Sequence, residues 1–141
     1  MTEAVGVLPR LQASFDRQSM MRTLQARLVQ AAEGRALIRA PLSAGVLQQH
    51  GAGHAALAFA IGDSAAGYAA LSLMPEHVEV MTVEMKINLM APALGDAFEA
   101  LGRVVRSGRR LSVVTAEVHA LSGSERKTIA ILQGTMIPVD P

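Results

Sequence analysis

The sequence predicts an α+β fold in which a curved antiparallel sheet wraps one long buried helix, all within a single domain over residues 1–141. Three observations carry this expectation. Residues 55–75 read AALAFAIGDSAAGYAALSLMP. The Ala, Leu and Met content favours helix, and a helix that is apolar on every side is a buried one. In residues 77–90, Met81, Val83, Met85, Ile87 and Leu89 alternate with Thr82, Glu84, Lys86 and Asn88, the period of a strand with one covered face. Beyond them, Pro92, Gly95-Asp96, Gly108 and Gly123 cut the chain into further strand-length pieces.

Taken in order, residues 1–9 read as a loose leader ending at Pro9. Ser14 can cap a short helix running to about Leu24, with Phe15, Met20, Met21 and Leu24 on its apolar side. Ala26 to Gln30 and Arg35 to Leu42 form a hairpin around Glu33-Gly34, ended by Pro41. The buried helix follows and stops at Pro75. Then come strands over 77–90, 97–106, 111–121 and 127–139, a meander of three or four. A single buried helix in a curved antiparallel sheet is a hotdog arrangement. One sheet face leaves the far side of such a helix bare, so a homodimer or a dimer of dimers is expected to cover it.

Composition removes several function classes. The 13 basic and 12 acidic residues give a net charge of +1, which offers nothing for nucleic acid to grip. Three Phe, one Tyr and no Trp leave little for base stacking. Without cysteine there is no disulfide, thiolate metal site or Cys nucleophile. No basic stretch leads into an apolar one at the N-terminus, so no signal peptide is expected and a cytoplasmic location is. Residues 55–75 are long enough to cross a bilayer, but Asp63 at their centre would cost about 3 kcal/mol on insertion. No membrane span is expected.

Asp63 is also the chemical clue, being the only formally charged residue between Ala55 and Pro75. A carboxylate in apolar surroundings is paired, hydrogen-bonded or kept for chemistry. Ala56, Ala60, Gly67 and Ala70 flank it on its own helix face, leaving room for a substrate or for a packed helix. His54 stands nine residues earlier, on roughly the opposite face and about 13 Å away in rise. The two cannot meet within one helix, so a shared site takes one of them from a second copy. At the helix start the Ala55 and Ala56 amides are expected to be free, with the positive end of the helix dipole behind them. That suits a carbonyl gaining negative charge. Gln48 adds a side-chain donor, and Gly51 and Gly53 permit the turn. His77 and His119 have no partner at metal-ligand spacing, so neither a metal site nor a cofactor is expected. No serine has a G-x-S-x-G setting. Arg106, Arg109 and Arg110 crowd one hairpin, which suits a solvated turn and phosphate contacts equally.

QQHGAGHAALAFAIGDSAAGYAALSLMP followed by VMTVEMKINLMAPALGD resembles the PaaI-like acyl-CoA thioesterases of the hotdog superfamily, from about Gln18 to Ile137. The resemblance implies hydrolysis of acyl-CoA to CoA and a carboxylic acid. Asp63 would act as base or nucleophile, His54 and the Ala55 amide would hold the carbonyl, and Gln48 would orient substrate or water. Ala55 and Ala56 stand where the family motif His-Gly-Gly has its glycines. Gly67, Asn88, Ser107, Arg109 and Arg110 make up the expected substrate-binding set. Two rival readings accompany it: a hotdog hydratase or dehydratase, and a non-catalytic acyl-CoA-binding domain.

Overall fold

The computed structural model describes residues 6–141 and arranges them as a six-stranded antiparallel sheet around one long helix. Helix α1 (Pro9–Asp16) and helix α2 (Ser19–Thr23) come first. Strands β1 (Arg27–Ala32) and β2 (Arg35–Pro41) follow. Helix α3 (Ala55–Leu71) precedes β3 (Glu79–Leu89), β4 (Ala97–Ser107), β5 (Ser112–Ser122) and β6 (Glu125–Val139). The sheet order is β1-β2-β4-β5-β6-β3. No described helix is long and apolar enough to cross a membrane.

At the N-terminus the expectation needs correcting. Helix begins at Pro9 rather than Ser14, because proline at the first helical position is already set to helical φ. Leu11 and Phe15, four residues apart, bury one stripe of α1, and the chain breaks at Arg17 and Gln18 before α2. Val7 is bridged to Ala31, so the leader is tied down there, while residues 1–5 lie outside the described residues. The first hairpin is as expected: Glu33 and Gly34 both take positive φ, 53° and 76°, the turn that matches strand twist.

The meander is confined to β4, β5 and β6. Strand β3 pairs with β6 instead of β4, so it occupies the sheet edge. The connection through Pro92 and Gly95 carries the chain past the start of α3, where the Gly53 amide donates to the Ala93 carbonyl at 2.8 Å, before β4 joins β2.

Helix α3 sits against the concave face on a bed of alanines. Ala65, Ala66, Ala69 and Ala70 are fully or almost fully buried. A Cβ on Gly102 of β4 would lie 2.3 Å from the Ala65 carbonyl, so helix backbone and strand backbone touch. The far side of α3 is half covered by the chain itself. Phe15 packs on Tyr68 with ring centroids 6.0 Å apart. Arg10 donates to the Leu71 and Met74 carbonyls at 3.0 and 2.9 Å, where the helix dipole is negative. Only the first turns remain bare, at Ala55, Ala56 and Phe59.

Candidate active site

Asp63 lies midway along α3, half buried, over the start of β3. Thr82 Oγ1 donates to Asp63 Oδ1 at 2.9 Å and rests 3.2 Å from Met136 Sδ. Strict alternation would turn Thr82 away from the helix. A β-bulge between Thr82 and Glu84 shifts the register, so Thr82 shares the helix-facing side with Met85 and Ile87. Burial pushes the Asp63 carboxyl above its ordinary range, and the Thr82 hydroxyl pulls part of the way back. Asp63, Ser64, Gly67 and Thr82 open on a cavity of about 180 Å³, whose other walls are Ser14, Gln18, Tyr68, Glu79 and Val80.

A second cavity, of about 420 Å³, surrounds the start of α3 and brings together Gln48, His54 and Ala55, with Ala58, Leu89 and Ile129 among its walls. His54 is the N-cap, and its Nδ1 accepts the Ala56 amide proton at 2.9 Å. Of the two amides expected to be free, that of Ala56 is therefore spent, while Ala55's has no partner among the described residues. Acceptance at Nδ1 leaves the proton of neutral imidazole on Nε2, where it can be donated. The only described non-glycine residues with positive φ are Gln25 and Glu33, so Ala55 presents its amide without glycine's freedom. Gln48 Oε1 accepts the His50 amide and, at 3.3 Å, that of Ala52, which keeps its NH₂ for an outside partner.

Asp63 and Gly67 thus share one cavity, and Gln48, His54 and Ala55 another. The remaining expected residues stand apart. Asn88 pairs with Ile131 and lies with Glu84, Lys86, Thr115 and Gln133 in a groove separate from both cavities. Ser107, Arg109 and Arg110 are exposed at the β4–β5 hairpin. The hairpin does sit at Asp63's end of the sheet, because Ser107 pairs with Ser112, Ser112 with Met136, and Met136 with Thr82. Thr82, Tyr68, Gln18 and Ser14 were not singled out for this site by sequence. The bulge turns Thr82 in, and the packing of α1 across α3 brings Ser14 and Gln18 to Tyr68; neither leaves a pattern in the residues themselves.

Both cavities border β3. Val80 and Thr82 line the first, and Leu89 lines the second. As the end of the sheet order, β3 leaves its outer edge unpaired among the described residues, and Met81, Val83 and Leu89 are 57 %, 57 % and 56 % exposed.

Comparison with known proteins agrees with this architecture. The family model described as thioesterase superfamily matches residues 50–127. A thioesterase family protein from Silicibacter pomeroyi is 39 % identical with a TM-score of 0.91, covering 94 % of this chain and 97 % of that one. Conserved protein PA5202 of Pseudomonas aeruginosa is 28 % identical with a TM-score of 0.79, covering 86 % and 94 %. PaaI, from the phenylacetic acid degradation operon of E. coli, shares the fold at 20 % identity, with a TM-score of 0.80 and coverage of 90 % and 88 %. No curated protein sequence matches at a significant level. With a family model spanning more than half its length and a near full-length relative at 39 % identity, the chain belongs to the thioesterase superfamily, and it has the hotdog fold that PaaI shares.

Proposed function

We propose that the protein hydrolyses acyl-CoA thioesters to CoA and a carboxylic acid at a site completed by a second copy of the chain. The observation that carries this is the carboxylate of Asp63, desolvated, hydrogen-bonded by Thr82 and open to a cavity. A base works best when its pKa is drawn toward the working pH, and burial moves Asp63 in that direction.

Within one protomer the acid and the start of α3 occupy separate cavities at opposite ends of β3. If β3 pairs antiparallel with its own copy about a two-fold axis, the start of one strand comes to lie beside the end of the other. Asp63 of one protomer then approaches His54 and Ala55 of its partner. The bare edge and its exposed Met81, Val83 and Leu89 support this pairing.

In such a site the thioester carbonyl takes the Ala55 amide and His54 Nε2–H as donors. Asp63 removes a proton from water, the hydroxide adds to the carbonyl carbon, and negative charge collects on the carbonyl oxygen against those donors. The C–S bond then breaks, and CoA leaves as a thiol with the proton returned from Asp63. Direct attack by Asp63 would instead give a mixed anhydride and release CoA first, with water cleaving the anhydride afterwards. Single-turnover hydrolysis in heavy-oxygen water separates these routes, since only the second places label in the enzyme's own carboxylate.

Ser107, Arg109 and Arg110 suit the nucleotide phosphates of CoA, being exposed donors at Asp63's end of the sheet. Asn88, in its own groove, has a smaller part in this reading as an outer contact. The test is a panel of acyl-CoAs with a thiol-reactive dye. Turnover with release of free thiol is expected. Binding without release would favour an acyl-CoA-binding domain, and water addition to an enoyl-CoA without thiol release would favour a hydratase.

A further inference from the structure

The cavity beside Asp63 ends in a cluster of hydroxyl and amide groups that the hydrolytic steps leave unused. Gln18 Nε2 donates to Tyr68 Oη at 2.7 Å, and Ser14 Oγ lies 3.1 Å from the same oxygen. Tyr68 is 3 % exposed, with its ring held against Phe15. No other side-chain hydrogen bond of Gln18 is made among the described residues, so its Oε1 remains an open acceptor.

We propose that this cavity receives the acyl half of the thioester, and that Ser14, Gln18 and Tyr68 select a short acyl group ending in a neutral hydroxyl. The inference rests on the reading of Asp63 as the hydrolytic carboxylate. Size decides which half of the substrate enters. A cavity of about 150 Å³ accommodates benzene, so the 180 Å³ here suits a handful of heavy atoms better than a long chain or a pantetheine arm. Reach agrees with this, since Tyr68 lies five residues beyond Asp63, about 7.5 Å along the helix.

Charge then decides the chemistry of the acyl end. Asp63 and Glu79 line the cavity and no Lys or Arg does. Arg17 meets Glu79 at 3.6 Å without joining the walls. An acyl group ending in carboxylate would therefore face two like charges. A hydroxyl, by contrast, can donate to Gln18 Oε1 and accept from Ser14. A methyl in its place would leave Gln18 Oε1 without a partner, and sites built to bind a hydroxyl reject the analogue lacking it.

The matched pair 3-hydroxypropionyl-CoA and butyryl-CoA tests this, because the two differ only by terminal OH for CH₃. With thiol release followed above the uncatalysed rate, kcat/KM is expected to favour the hydroxyl substrate by about tenfold or more. Gln18→Leu and Tyr68→Phe are expected to bring that ratio toward one. Equal rates in the parent, or a faster butyryl substrate, would overturn the selection and leave the thioesterase reading standing. So would variants that lose thermal stability yet keep the ratio, which would make the cluster a structural tie between α1 and α3. Turnover of octanoyl-CoA but of neither short substrate would overturn the proposal and leave the thioesterase reading standing. No thiol from any acyl-CoA would overturn both readings.

Discussion

Thr82 reaches Asp63 because β3 carries one extra residue, Val83, in its pairing with β6. The hydroxyl stabilises the ionised carboxylate against its burial, so it lowers the pH at which Asp63 ionises. Thr82→Val keeps the branched shape and removes the donor. Without it the Asp63 pKa rises further, so the acid limb of the kcat/KM profile moves to higher pH, while rates well above the limb fall less. A profile that keeps its acid limb in place would separate Thr82 from the titration of Asp63.

Asp63→Asn removes the carboxylate and retains an acceptor for Thr82. Turnover of acyl-CoA should fall about a hundredfold or more. Stability should move the other way. A carboxyl whose pKa is raised on folding binds more protons folded than unfolded, so the parent loses stability as pH rises from 3.8 through the raised value. The Asn variant lacks this loss, and its Tm advantage should grow over that interval and then level off. Near-normal turnover in the folded variant would end the catalytic assignment.

Mixed chains probe the shared site. His54→Ala removes the cap and the Nε2–H donor at one end, and Asp63→Asn removes the acid at the other. Each should be inactive alone. After subunit exchange, some heterodimers would hold one intact site and recover part of the activity. Recovery should be absent if both residues serve a site within one protomer, provided exchange is shown independently by tagged chains.

At the β4–β5 hairpin, Arg109→Ala with Arg110→Ala should raise KM for full CoA substrates and spare kcat, because phosphates bound there would be held equally before and during reaction. Added salt should raise the parent's KM in the same direction, since exposed charges are screened. Identical constants for parent and double variant would make the hairpin a solvated turn.

Gly102→Ala tests the seat of α3. The added methyl would meet the Ala65 carbonyl at 2.3 Å and the Ala66 nitrogen at 2.6 Å. These are backbone atoms that cannot rotate aside, so a loss of about 3 kcal/mol is expected in denaturant unfolding. A change under about 0.5 kcal/mol would mean that the helix has room to lift.

Much of this molecule was legible in its residues. The all-apolar segment with one acid gave the buried helix and Asp63, and Glu33-Gly34 gave the first hairpin. Local pattern could not give the partner of β3, because alternation reports a covered face but not a neighbour. Nor could it show Thr82, which sits on the polar side of an unbroken alternation until the bulge turns it round. Ser14 read as a cap because its type suits one, yet its hydroxyl lies against Tyr68, 54 residues away. Contacts at that separation depend on how α1 lies across α3, which Leu11 and Phe15 decide by burial.

The bare edge of β3 has a physical cost for a protomer on its own. The outer edge of this eleven-residue strand, unpaired among the described residues and flanked by exposed Met81 and Val83, forms a template for any extended chain that drifts by. Charged side chains along it, Glu84 and Lys86, blunt it only in part. Pairing with an identical strand would remove that hazard and complete the site in the same step. Folding, solubility and turnover would then share one dependence on concentration: dilution would lower specific activity and thermal stability together, by mass action.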